Sequence, residues 1–175
     1  MFFDRLVVSL KLLLLKRKCS RLLLQNPIRP TARKAQISFG LIVDLDSYDA
    51  DTLVQNIKTS FGLLQQQINV LGYSKSDTAN KLPYFKINQD LSWFKGVMHP
   101  SVASFNTSQY TYLINFHEHK EPCVSYVSLK TAALIRIGFQ EDKTADLIIN
   151  QSPENTPSLF KVLHNYIQKL TVDND

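Results

Sequence analysis

Apolar positions along this chain recur with two spacings, and the two take turns. Short runs rich in β-branched and aromatic residues alternate with longer stretches in which apolar residues return every three or four positions. The first spacing predicts buried strands and the second amphipathic helices. Residues 36–43 (QISFGLIV) are apolar almost throughout, as a strand covered on both faces must be. Residues 44–52 (DLDSYDADT) form a polar turn. Asp49 or Asp51 is placed there to cap a helix over 50–66, whose Leu53, Ile57, Phe61 and Leu64 share a face. A second strand is predicted at 67–73 (QINVLGY) and, after a polar loop at 74–81, a third at 82–87. Residues 91–98 suit neither period, and Trp93 and Phe94 are expected to fill a gap between layers. A short helix is predicted at 100–106, a strand at 110–116 (YTYLINF) and a helix at 122–133 opened by Pro122. Strands at 134–139 (LIRIGF) and 145–150 (ADLIIN) lead to a last helix at 153–170. Its Leu159, Val162, Leu163, Tyr166, Ile167 and Leu170 should face the core, with 171–175 frayed. Such alternation implies βαβ crossovers: a three-layer, Rossmann-like α/β fold with a mostly parallel sheet.

The N-terminal stretch has a different grammar. Residues 2–25 hold no Pro or Gly and are dominated by Leu, Lys and Arg, so a basic helix is predicted. Asn26, Pro27 and Pro30 stop it and stiffen the connector. On a helical wheel Phe3, Leu6, Val7, Leu10, Leu13 and Leu14 share one face, while Val8, Leu12 and Leu15 lie opposite. Arg17 and Arg21 fall on the first face further along. Residues 1–35 carry nine Lys or Arg against Asp4, a net +8, whereas the whole chain carries +5; residues 36–175 are thus at −3. The expected organisation is a basic leucine-rich helix with a Pro-containing linker over 1–35, followed by a single α/β domain over 36–175.

Arg5, Lys11 and Lys16 interrupt the apolar run too often for a membrane span or a signal peptide. An acid-poor basic helix of this kind also suits an organelle transit peptide; beside that, three uses of the helix remain open. It can lie on an anionic membrane surface, with leucines in the acyl boundary and Arg5, Lys11, Lys16, Arg17, Lys18 and Arg21 on the headgroups. It can contact phosphates of RNA, although no aromatic residue is interleaved with the cluster. Or it can dock its leucines on the domain or on a second copy.

A hydrophobic fraction of 44% and an aromatic fraction of 10% fit a folded chain. Cys19 and Cys123 are far apart, show no zinc spacing, and read as inert buried thiols in a reducing, cytoplasmic setting. The phosphate fingerprints GxGxxG and GxxxxGK[ST], and the nucleophile elbow GxSxG, are absent. No cofactor is expected.

In open α/β sheets ligands bind beyond the carboxyl ends of the strands, where strand order reverses. That rule selects Asp44, Asp46, His117 and His119 as candidate ligand-binding residues, with Tyr73, Ser74, Gly138 and Gln140 nearby. Asp44-Leu45-Asp46 after an apolar strand resembles the first motif of haloacid-dehalogenase-type phosphatases, but the later acidic pair is missing. A helix-capping turn accounts equally for the aspartates. As a calcium loop counted from Asp44, the segment fails at Asp49 and Gln55. His117-Glu118-His119 can ligate a metal only on extended backbone; otherwise HEHKE is a charged connector.

The stretches FGLIVDLDSYDADTLVQNI and YTYLINFHEH…LIRIGF…ADLIIN together resemble a small Bacteroidota-type family known as a domain of unknown function. The resemblance implies a basic N-terminal helix and one Rossmann-like domain, and no activity. A remoter similarity joins YTYLINF and ALIRIGF to the N-terminal half of heptosyltransferase-like GT-B glycosyltransferases, with Arg136 and Gly138 matching an a-x-x-R-x-G-f strand. This chain has no room for the second domain that binds the sugar nucleotide in such enzymes. The expected function is therefore a non-enzymatic cytoplasmic binding or adaptor protein, peripheral at the inner membrane through its helix. Alternatives are an enzyme on a phosphorylated or sugar ligand at the strand carboxyl ends, and an RNA- or ribosome-associated protein.

Overall fold

A computed structural model describes residues 2–25, 27–30, 37–75, 82–87, 89–117, 121–139, 142–150 and 156–172. In chain order the elements are α1 (Phe2–Leu24), β1 (Phe39–Asp44), α2 (Ala50–Phe61), β2 (Ile68–Ser74), β3 (Tyr84–Lys86), β4 (Leu91–Ser92), β5 (Gly96–Val97) and α3 (Pro100–Thr107), followed by β6 (Gln109–Phe116), α4 (Pro122–Lys130), β7 (Ala132–Phe139), β8 (Leu147–Ile149) and α5 (Thr156–Val172). Six strands pair in the order β3-β2-β1-β6-β7-β8, every pair parallel. The expected Rossmann-like architecture is the one observed.

Successive strand residues face opposite layers, which makes the central strands apolar throughout. Ile42, Leu71, Tyr73 and Phe85 pack with α3 and α4 on one side. Leu41, Val43, Ile114 and Phe116 pack with α2 and α5 on the other. Capping follows the residues. Asp49 accepts from the Thr52 amide at 3.2 Å to open α2, and Gly62, left-handed at φ 62°, closes it. The helix therefore ends at Phe61 rather than at the expected 66. Pro122 opens α4 as predicted. Pro153 lies outside the described residues. In α5 Leu159, Leu163 and Ile167 form the buried stripe, while Tyr166 is 46% exposed. Tyr166 sits at the edge of that stripe, where its ring can leave the hydroxyl in water; the inward placement expected of it is corrected.

Two further features depart from expectation. Residues 91–97 form an antiparallel pair, β4–β5, with Leu91 opposite Val97. Leu91 and Val97 are the residues that enter the core, and the tip carries Trp93 and Phe94 outward, 39% and 82% exposed. The layer-filling role expected of those two aromatics is therefore wrong. The hairpin is seated by Gly96 (φ 83°), whose missing side chain leaves room for the Tyr126 ring: a Cβ there would stand 2.4 Å from it.

The second is α1, which packs on α4 and the hairpin. Its Leu15 and Cys19 are buried in the same cluster as Cys123, Val124 and Val127, with Leu12, Leu22 and Leu23 partly covered. The connector after it is strapped down. The Ile28 carbonyl accepts from Arg136 Nη2 at 2.8 Å, and Arg29 forms a bidentate pair with Asp146 at 2.7 and 2.6 Å. Arg136 is fully buried. It also donates to the Ser128 and Thr131 carbonyls at 3.1 and 2.7 Å, satisfying the C-terminal end of α4. Burial and the nearby Arg29 lower its pKa to about 10, so it stays charged at neutral pH.

Candidate functional site

Strand order reverses between β1 and β6. From β1 the chain continues to β2 and β3 on one side; from β6 it continues to β7 and β8 on the other. The carboxyl ends of β1 and β6 thus frame the switch point. Asp44 ends β1, and His117 follows β6 directly. Because Val43 pairs with Phe116, Asp44 and His117 come next in register on neighbouring strands.

The two aspartates are held by backbone and hydroxyl donors. Asp44 Oδ1 accepts from the Asp46 amide at 3.1 Å and Oδ2 from Ser47 Oγ at 3.3 Å. Asp46 accepts from Ser74 Oγ at 2.6 Å and from the Lys75 amide at 2.7 Å, tying the end of β1 to that of β2. Tyr73 is buried beside Asp44. Burial, and then the negative charge of the Asp44 carboxylate that accepts its hydrogen bond, push its phenol pKa far up, so it remains a hydrogen-bond donor. An open depression of about 350 Å³ lies beyond β1, lined by Asp46, Tyr48, Asp49, Asp51 and Leu82.

On the β6 side the ionisable groups are buried. His117 Nε2 stands 3.5 Å from Asp142 Oδ2. Asn115 Nδ2 donates to the same Oδ2 at 2.9 Å, and the Thr144 amide and hydroxyl donate to Oδ1 at 2.9 and 2.7 Å. Burial raises the Asp142 pKa, but the bonds from His117, Asn115 and Thr144 outweigh it and hold the carboxyl at about 2. Gly138 admits this carboxylate, since a Cβ there would lie 2.5 Å from Asp142 Oδ2. Glu121, 8% exposed at the start of α4, pairs with Lys75 Nζ at 3.2 Å. Sequence reasoning did not select Asp142, Glu121 or Lys75. Asp142-Lys143-Thr144 after a strand was a turn signal that could have found the first.

The structure therefore brings Asp44, Asp46 and His117 to one edge of the sheet. His119, with Glu118 and Gln140, lies outside the described residues. Among the described residues no group of three or more His, Cys, Asp or Glu could hold a metal ion. His99 caps α3 by accepting from the Ser101 amide at 3.2 Å, and His164 Nδ1 lies 2.9 Å from the Ser60 carbonyl.

The basic residues of α1 divide. Lys11 stands over the Trp93 ring at 5.6 Å, and Lys18 donates to the Phe94 carbonyl. Lys16, Arg17 and Arg21 are exposed. Arg5 lies within α1, and nothing further of its side chain is described. Leu6, Leu10 and Leu13 point outward on the face opposite the docked one, each 46–49% exposed. Among the described residues no helix is long and apolar enough to cross a membrane.

The model of a family of unknown function, DUF6913, matches residues 11–170, from within α1 to near the end of α5. The chain belongs to that family. No curated protein matches the sequence. The DUF6913 match takes in all but the first turns of α1 as well as the sheet, so the basic helix and the α/β layers belong to one family pattern.

Proposed function

We propose that this DUF6913 protein is a non-enzymatic binding or adaptor protein that lies on an anionic membrane surface through the outer face of α1. One observation carries the reading: α1 docks through Leu15 and Cys19, yet keeps Leu6, Leu10 and Leu13 outward beside Lys16, Arg17 and Arg21. A helix that merely covers a domain would turn its polar face to water. Each outward leucine would contribute roughly 1.5–3 kcal/mol if fully buried, and each cation near an anionic bilayer about 1 kcal/mol. Anionic lipid of the cytoplasmic leaflet is the matching surface, which carries a cytoplasmic location with it. The test is flotation with phosphatidylcholine vesicles, with and without phosphatidylglycerol. Recruitment should require the anionic lipid, weaken with salt, and drop at least tenfold in a K16Q/R17Q/R21Q variant. Equal flotation of that variant sinks the reading.

A second reading is favoured by the switch-point cluster, where His117, Glu121 and Asp142 are buried at the same edge as Asp44 and Asp46. There the protein takes a phosphorylated or sugar ligand. The likeness to heptosyltransferase-like enzymes lends little to it, because Arg136 and Gly138 already serve the α4 end and the Asp142 turn. Thermal-shift titration with sugar phosphates on wild type and D44N decides it: no ligand-dependent shift in the wild type removes this reading.

A further inference from the structure

Phe94 is the most exposed aromatic ring described, yet the backbone that carries it is pinned on three sides. Lys18 of α1 donates to the Phe94 carbonyl. The Tyr126 hydroxyl of α4 donates to the Lys95 carbonyl at 3.0 Å. Gly96 lies against the Tyr126 ring, and Leu91 and Val97 anchor both strands in the core. A tip fixed so firmly holds Trp93 and Phe94 out by construction rather than by fraying, and a preorganised apolar tip loses little freedom on binding.

Its surroundings name the occupant. Lys11 lies over Trp93, and Lys18, seven residues on, lies on the same side of α1. On the wheel Leu14 and Leu10 stand between those two lysines and the outward face of Leu6 and Leu13. The hairpin tip thus flanks α1 on the side that Leu14 and Leu10 join to the leucine face, and lysine heads occur beside both. We infer that the β4–β5 tip is a second membrane contact, with Trp93 and Phe94 inserting at the level of lipid headgroups while α1 lies alongside. Tryptophan and phenylalanine beside lysine suit that depth, where an apolar ring body and a charged head are both accommodated. The inference rests on the bilayer reading above and adds what inserts. A nucleic acid fits less well. Lys11 already occupies one side of the Trp93 ring, and Leu6, Leu10 and Leu13 offer nothing to a phosphate backbone.

Trp93 is the single tryptophan of the chain, which makes its fluorescence a reporter of this tip alone. The experiment titrates the full chain with phosphatidylcholine–phosphatidylglycerol vesicles and reads Trp93 emission, acrylamide quenching and flotation together. Insertion predicts a blue shift and protection from acrylamide on anionic vesicles, and about tenfold weaker flotation for F94S. Flotation with unchanged Trp93 emission and a neutral F94S overturns the insertion while the bilayer reading stands. Absence of flotation removes both. A blue shift that follows protein concentration without lipid, or a response to single-stranded RNA instead of vesicles, assigns the tip to self-association or to nucleic acid and overturns the proposal. Circular dichroism of F94S should match wild type, because the exposed ring takes no part in the core.

Discussion

Asp142 shows how far a single carboxylate can be drawn from its usual behaviour. It is nearly buried, and donors to both of its oxygens hold its pKa at about 2. Its folded pKa is below the unfolded value of about 4. Its contribution is therefore complete above that value and is lost as pH falls toward 2. Urea unfolding of D142N should show about 1–3 kcal/mol less stability at neutral pH and a flatter loss between pH 4 and pH 2; an acid limb identical to wild type contradicts a stabilising Asp142 carboxylate. Arg136 is a second such residue. R136M removes the guanidinium that donates to the Ser128, Thr131 and Ile28 carbonyls and should cost about 3 kcal/mol, read from the midpoint of chemical unfolding. Residues at this scale were half legible. Asp44, Asp46 and His117 followed from a strand pattern and the switch-point rule. Asp142 did not, because its partner His117 stands 25 positions earlier, just past the end of β6, and only the fold joins them.

Among the elements, the strands and most helices read directly because their periodicity answers one question, which face is buried. Helix α1 and residues 91–97 do not pose that question cleanly. α1 is apolar on two opposite faces, so the wheel cannot say which one docks. Tertiary packing chose Leu12, Leu15 and Cys19 and left Leu6, Leu10 and Leu13 outside. The hairpin was obscured because its strands are two residues each and its aromatics sit at the tip. Docking of α1 makes two predictions. L15A opens a cavity against α4 and should lower stability by about 2–4 kcal/mol in thermal or urea unfolding. Burial also pushes the Cys19 thiol up to about 11, and pushes Cys123 higher still. Both thiols should resist a water-soluble disulfide reagent in the native protein and react readily in denaturant. Fast labelling of Cys19 in the native state means that α1 leaves its seat.

For the molecule as a whole, the division into 1–35 and 36–175 is a statement about independent folding. Residues 36–175 hold the six-stranded sheet and both core clusters except for the residues of α1. The trimmed domain should therefore keep an α/β far-ultraviolet circular dichroism spectrum, less the helical signal of α1. It should also melt earlier and bind a hydrophobic dye, because Cys123, Val124 and Val127 lose their cover. A domain as stable as the full chain would mean that the packing of α1 contributes nothing.

The strap formed by Ile28 and Arg29 has a mechanical side. The guanidinium that holds the Ile28 carbonyl projects from β7, next to the strand that leads to His117, and also grips the end of α4. One side chain of β7 thus fastens both the segment that follows α1 and the last turn of α4, two elements far apart in the chain.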